Sequence, residues 1–528
     1  VEGRFDGRPV TYWGIVVRPV RRDGGYWFDY YRPGASEPIT SVEILRTVGS
    51  HRYQQYLARV EGEAGNYYRL QLLWHIRDER WVHMNGVFLG PDEQSFDNHI
   101  ALWNHNCIFC HNTGPEPGIV NIDEIRDQSA AGRPVDMENQ ARYRSRVAQL
   151  GIACESCHGP GAAHVEANRN PLRRLWNRLR GGDDTVVHPD KLPQERSVQV
   201  CGQCHGQRTP ANPRLAQRWV DQGPAYRPGD DLLENVNLVW RDTRIPGDDD
   251  PDRFRLRFWA DGTPRLTAYE YQGLKMSECF TASDALTCNN CHAMHAGDPA
   301  GMTTERQRGN APCLQCHEDL GAGEQRHTRH AGGSAGSSCY ACHMPEIVYG
   351  VMTTHRSHHI EVPDPARNAA DGRPNACNQC HVDQSVAWAE RETARLWGGE
   401  AQPVERRSGV QPGYASALVA LTAGDPLQRS MAARHIRRGL EAGEQPARAW
   451  VPHLIAAMRE DAYPAVRRFA AQALTAAARQ LRAGALEKAV AQFDFIAAPD
   501  QRHAELALIE QRWKELAADD IDRGASLE

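Results

Sequence analysis

Cys154-Glu155-Ser156-Cys157-His158-Gly159-Pro160-Gly161-Ala162-Ala163-His164 is the stretch on which the reading of this chain turns. Its first five residues set two thiols three positions apart and place an imidazole directly after the second. The same arrangement recurs as Cys107-Cys110-His111, Cys201-Cys204-His205, Cys288-Cys291-His292, Cys313-Cys316-His317, Cys339-Cys342-His343 and Cys377-Cys380-His381. Fourteen of the fifteen cysteines fall in these seven motifs, and Cys279 is left over. Cys-x-x-Cys-His is the attachment signature of c-type haem. The thiols bond to the vinyl-derived carbons of one porphyrin, and the His reaches its iron from the same short loop. A zinc knuckle or a redox dithiol also uses Cys-x-x-Cys. Neither of these, nor a structural disulfide, requires a His after the second Cys every time.

Outward from this stretch, successive motifs begin 47, 47, 87, 25, 26 and 38 residues apart. Such spacings leave little room for a protein core between sites, so the porphyrins themselves are expected to form the core of residues 101–400. Short helices are expected near 136–150 and 384–398. Residues 1–100 contain no Cys and alternate with period two, at Tyr12–Val17, at Tyr26–Tyr31 after a Gly24-Gly25 turn, and at Tyr68–Trp74. The pattern predicts a small antiparallel sheet. A further hairpin is expected over Arg253–Tyr271, turning at Asp261-Gly262.

Residues 401–528 are rich in Ala, Leu and Arg. There Pro426–Ile436 aligns with Pro464–Leu474 at an offset of 38 residues, each segment following a helical stretch, and a degenerate third unit begins near Pro499. Helix pairs repeating at this period are read as solenoid-like. The expected fold is mainly α, with much irregular haem-wrapping structure, small antiparallel β elements near the N-terminus and α-solenoid-like C-terminal repeats.

The second axial ligand separates electron transfer from catalysis. Sixteen of the 23 His lie outside the motifs, thirteen of them before residue 400. His51, His105, His164, His295, His327, His330, His355 and His358 are the candidate distal ligands. His99 lies close to the first motif, and His188 is a weaker candidate. His75, His83, His435, His453 and His503 are read as structural.

The 528 residues carry a net charge of −6 and a mean hydropathy of −0.62. The mild acidity argues against nucleic-acid binding, which needs a concentrated basic face. No apolar run is long enough to span a membrane. The chain opens at Val1 without a charged-then-apolar stretch, so an export signal is expected to have been removed or to lie outside this sequence.

Several blocks bear a family resemblance. Glu155–Gly161 with His164, Val200–His205, Leu286–His295, His327–Pro345 and Pro374–Trp388 resemble cytochrome c-554-like multihaem cytochromes, in a branch that ends in a TPR or HEAT-like helical tail. The resemblance covers about residues 40–400. It implies an exported protein, periplasmic or extracellular, with seven haems c. Such proteins begin with one more motif ahead of the first sheet, so an eighth haem is expected in a preceding segment. Met276–Phe280 resembles a Cys-aromatic element of the branch, and Cys279 is read as a free thiol packed as a small hydrophobe.

The expected function is electron transfer along closely spaced, mostly bis-His haems, with redox protein partners. One alternative is a multihaem reductase of nitrogen or sulfur oxyanions with one open haem site. The other is a homo-oligomer or cytochrome filament, joined through the helical tail or shared haem ligands.

Overall fold

The computed structural model describes all residues except 13, 60–64, 90–100, 246–249, 251, 267, 300, 322, 405–410 and 523–528. His99 lies outside the described residues.

The N-terminal region folds into two antiparallel sheets. Val10–Tyr12, Ile15–Arg22, Gly25–Tyr31 and Thr40–Ile44 pair in chain order. Arg46–Val48, Tyr53–Ala58, Tyr68–His75 and Arg80–His83 form the second, with Ala101–Leu102 added beside Tyr68–His75. The expected strand over Tyr12–Val17 is in fact two strands. Gly14 adopts φ +74°, which only glycine takes without strain, and Tyr12 pairs with Ile15 across the turn. The next turn centres on Asp23-Gly24, because Arg22 pairs with Gly25. Aromatic rings fill the space between the sheets, where Phe5 meets Tyr56 and Trp81 edge to face and Phe28 meets Trp81 likewise.

Two expectations are corrected here. Residues 136–150 hold only a short helix, Met137–Gln140, before the strand Arg146–Leu150 pairs with Asn112–Glu116. Asn121 ends that helix by binding Gln140 O and Arg142 N through its side chain. The burial of Tyr143 and the Arg146–Glu116 ion pair then draw the chain onto its strand partner. The Arg253–Tyr271 hairpin keeps its turn but not its strands. Phe258 and Pro264 form one isolated bridge, Arg255–Arg257 is a 3₁₀ turn, and Glu270–Met276 is a helix. Trp259 N donates to Thr263 O and Arg265 N to Arg257 O around that bridge, and the 3₁₀ turn at Arg255–Arg257 ends the pairing there.

The middle of the chain is a series of short helices, 3₁₀ turns and two-stranded ribbons. Helix Val386–Trp397 stands where expected, its start fixed by Ser385 accepting from Trp388 N.

The C-terminal region consists of Ser416–Ala423, Pro426–Glu441, Ala447–Glu460, Pro464–Gln480, Gly484–Ala491 and Pro499–Asp522. Both aligned repeat segments open a helix with Pro in its first turn, where its missing N–H costs nothing. Asp425 and Gln428 complete a capping box. Ala433, Ala470, Ala473 and Ala477 are fully buried, and their small side chains let the helices approach closely.

These helices do not stand apart from the rest. Their core is continuous with Leu73, Val82, Met84, Val87 and Leu89 from the N-terminal region and with Val348, Val351, Met352 and Val382 from the middle. Two ion pairs pin the same junctions. Arg468 grips Asp78 through two hydrogen bonds, and Arg434 grips Glu346 likewise. No described helix is long and apolar enough to cross a membrane.

Candidate haem-binding sites

Each motif is one turn of backbone. In the Cys107, Cys154, Cys288, Cys313 and Cys377 motifs the His N–H donates to the first Cys carbonyl, at 2.9–3.1 Å. The other two motifs end the helices Gln194–His205 and Cys339–His343. A single turn puts residues at i, i+3 and i+4 on one face. Both thiols and the imidazole of every motif therefore present to the same side.

Four motif imidazoles face a second His. Ring centres are 5.9 Å apart for His158 and His295, 6.3 Å for His292 and His358, 6.1 Å for His343 and His327, and 6.1 Å for His381 and His330. The interplanar angles are 26°, 21°, 9° and 31° respectively. Two imidazoles bound trans to one metal, at about 2.0 Å per bond, hold their ring centres roughly 6 Å apart. Ring stacking would bring them closer. The pairs thus fit a metal held between two imidazole nitrogens, flanked by the two thiols of one motif.

Backbone carbonyls hold these rings in place. Nδ1–H of His158 donates to Val187 O at 2.6 Å, that of His292 to Gly301 O at 2.9 Å, and that of His343 to Glu361 O at 2.7 Å. Among the partners, His330 donates to Thr328 O at 2.6 Å and His358 to Arg356 O at 3.2 Å. Because a carbonyl only accepts, the proton sits on Nδ1 and the Nε2 lone pair is left for a metal. Gly273 allows helix Glu270–Met276 to lie against His358, since a Cβ there would sit 2.9 Å from His359 N.

The remaining candidates are placed differently. His355 is half-buried, and its buried Nε2 has no hydrogen-bond partner among the described residues. Its Nδ1 lies 3.7 Å from Glu270 Oε1, and His205 Nδ1 lies 3.7 Å from Glu270 Oε2. Burial pushes the Glu270 carboxyl up, but the adjacent His205 and His355 outweigh it and hold it at about 2. The neighbouring Glu270 carboxylate raises the His205 pKa, whereas burial lowers that of His355 to about 4. His164 Nδ1 is 2.9 Å from Asp183 Oδ2, which leaves its Nε2 outward on a half-exposed side chain. His105 Nδ1 meets the Tyr143 hydroxyl at 3.4 Å. His51 is exposed. Among the described residues no imidazole faces His111, His205 or His317 as in the four pairs.

His188 lies 6.1 Å from His158 at 74°, beside the carbonyl of Val187 and hence on the Nδ1 side, with its own Nε2 bonded to Asp183 O. His75 pairs with Asp78, His83 stacks on Tyr12, and His435 lies against Glu346. Sequence reasoning missed Glu270, which belongs to no motif, and the carbonyls that orient the rings, which leave no side-chain signature.

The motifs also touch one another. The thiols of Cys110 and Cys204 lie beside one another, as do those of Cys201 and Cys288 and those of Cys313 and Cys339. Gln203 Nε2 donates to Ser156 O at 2.8 Å, and Gln315 Nε2 to Asn290 O at 3.3 Å. Gln379 exchanges two hydrogen bonds with the Glu346 backbone, at 2.8 and 3.0 Å. Every motif is thereby joined to a neighbour, from the first through the third, fourth, fifth and sixth to the seventh, with the second beside the third.

The family model described as Doubled CXXCH motif matches residues 281–322, the segment with the Cys288 and Cys313 motifs. No curated protein and no solved structure matches the chain. The doubled motif supports a c-type cytochrome-like protein, and its Cys-x-x-Cys-His units indicate covalently bound haem c.

Proposed function

We propose that the chain is a multihaem c-type cytochrome that carries seven haems and passes electrons between them outside the cytoplasm. The observation that carries this reading is the series of motif-to-motif contacts, which sets the seven haem-attachment turns side by side. Bound haem supplies reversible one-electron chemistry at iron. The chain's own residues do the rest. The paired thiols of each motif would hold the porphyrin. His158, His292, His343 and His381, each with its facing partner His295, His358, His327 or His330, would hold the iron through imidazole nitrogens. The Nδ1–H bonds to carbonyls keep five of these eight rings in the binding tautomer. His51, His105, His164 and His355 are the candidates for the sites of His111, His205 and His317.

The C-terminal helix pairs are HEAT-like, and their outer faces are suited to docking a redox partner. Attachment of haem c implies export to the periplasm or beyond. The test is intact mass together with a haem assay on purified protein. Seven haems per chain with low-spin ferric EPR are expected. Fewer attached haems, or a full-stoichiometry high-spin signal, would overturn the bis-His conduit.

A further inference from the structure

Helix Pro171–Leu179 carries its apolar residues on the outside. Leu172, Leu175, Trp176 and Leu179 are 77%, 54%, 57% and 74% exposed. They recur at i, i+3, i+4 and i+7, which makes one stripe on a helix. Asn170 caps the helix by accepting from Leu172 N and Arg173 N, so it is a defined element with a fixed start. A face of this kind on a protein in water is a contact surface for something else.

The flanks indicate what that is. Arg173, Arg174, Arg178 and Arg180 border the stripe on both sides, all of them exposed. Arg180 reaches over the Trp176 ring at 5.5 Å. Among the described residues, Arg173, Arg174 and Arg178 make no ion pair. Residues 167–182 contain no Asp or Glu, in a chain whose net charge is −6. The positive charge is therefore local to this helix. A protein groove would accept the leucines but would not call for arginine on both margins. An anionic bilayer surface matches both features, with the stripe sinking among acyl chains and the guanidinium groups meeting headgroup phosphates.

We infer that helix Pro171–Leu179 seats this protein on the surface of a membrane containing anionic lipid. The haem-loaded full chain is mixed with vesicles of phosphatidylcholine alone, or with about one third phosphatidylglycerol, and sedimented at low and high salt. Binding is expected only to the anionic vesicles and is expected to weaken with salt. Arg173→Gln/Arg174→Gln/Arg178→Gln is expected to lower binding roughly 100-fold, from the usual contribution of each basic residue near such a surface. Leu172→Ser/Leu179→Ser is expected to abolish it. All five positions are exposed, so the variants are expected to leave the haem spectrum unchanged; a changed spectrum overturns the inference, because the stripe would then lie against a porphyrin. No binding by the unaltered protein, or binding that neither variant weakens, overturns the inference. So does a dimer in light scattering that Leu172→Ser/Leu179→Ser dissociates, because the face would then be covered by a second copy.

Discussion

His327 and His343 face each other with ring centres 6.1 Å apart and planes 9° from parallel, although one lies ahead of the sixth motif and the other closes it. His327→Ala removes one side of that arrangement and leaves both thiols of the motif intact. The haem count is expected to stay the same, while one haem changes from low-spin to high-spin ferric. EPR of the oxidised variant checks this. An unchanged low-spin total would reject His327 as the partner of His343.

Gly273→Ala tests the opposite face of another pair. A Cβ at residue 273 would press on the backbone of His358 and His359, which has no room to yield without moving the His358 ring. One low-spin species is expected to shift or disappear, the one that His292→Ala would also remove. Identical EPR spectra of Gly273→Ala and the parent would show that the backbone gives way without disturbing the ring.

Cys279 is the one thiol outside the motifs, and burial pushes its pKa up. If all fourteen motif cysteines are thioethers, denatured protein should show one titratable thiol per chain. In the folded protein that thiol should react slowly at neutral pH, since the thiolate is the reactive form. More than one thiol would mean incomplete attachment, and Cys279→Ser should reduce the count to zero.

Glu346 links the sixth motif's segment to the C-terminal helices through Arg434, Arg438 and His435. Burial pushes its carboxyl up, but the adjacent His435 and the hydrogen bonds from Arg434 more than offset this and hold it well below the ordinary range. A depressed carboxylate stabilises the fold above its unfolded pKa of about 4.3. That contribution is lost as pH falls toward the folded value. Glu346→Gln leaves Arg434 and its neighbours without their anion, at a cost of about 3 kcal/mol near neutrality. Denaturant unfolding at several pH values should show the gap between parent and variant closing below about pH 4. A gap independent of pH would mean that the carboxylate charge is not what stabilises the junction.

The parts of this molecule that were legible in its sequence are local. A Cys-x-x-Cys-His turn needs only its own five residues, and helix Val386–Trp397 announces itself through Ser385 and its apolar stripe. Pro426 and Pro464 mark two helix starts for the same reason. Where distant segments decide the conformation, the sequence misleads. Arg146–Leu150 reads as helix in isolation but finds a strand partner in Asn112–Glu116. His295 follows the fourth motif, yet it faces His158 of the second, an encounter that no spacing rule contains. Glu270 gains its position between His205 and His355 only when two helices and a strand, far apart in the chain, converge.

That crossing of partners affects how the chain reaches its native state. His295 faces His158, His358 faces His292, and His330, ahead of the sixth motif, faces His381 of the seventh. Each such pair, once joined through a metal, acts as a staple that closes a long loop and removes its entropy from the unfolded ensemble. The staples interleave along the chain, so opening one slackens segments held by the next. Such a chain should unfold as one cooperative unit. Its characteristic error during assembly would be a histidine captured by the wrong neighbour, a trap that must be escaped by ligand exchange.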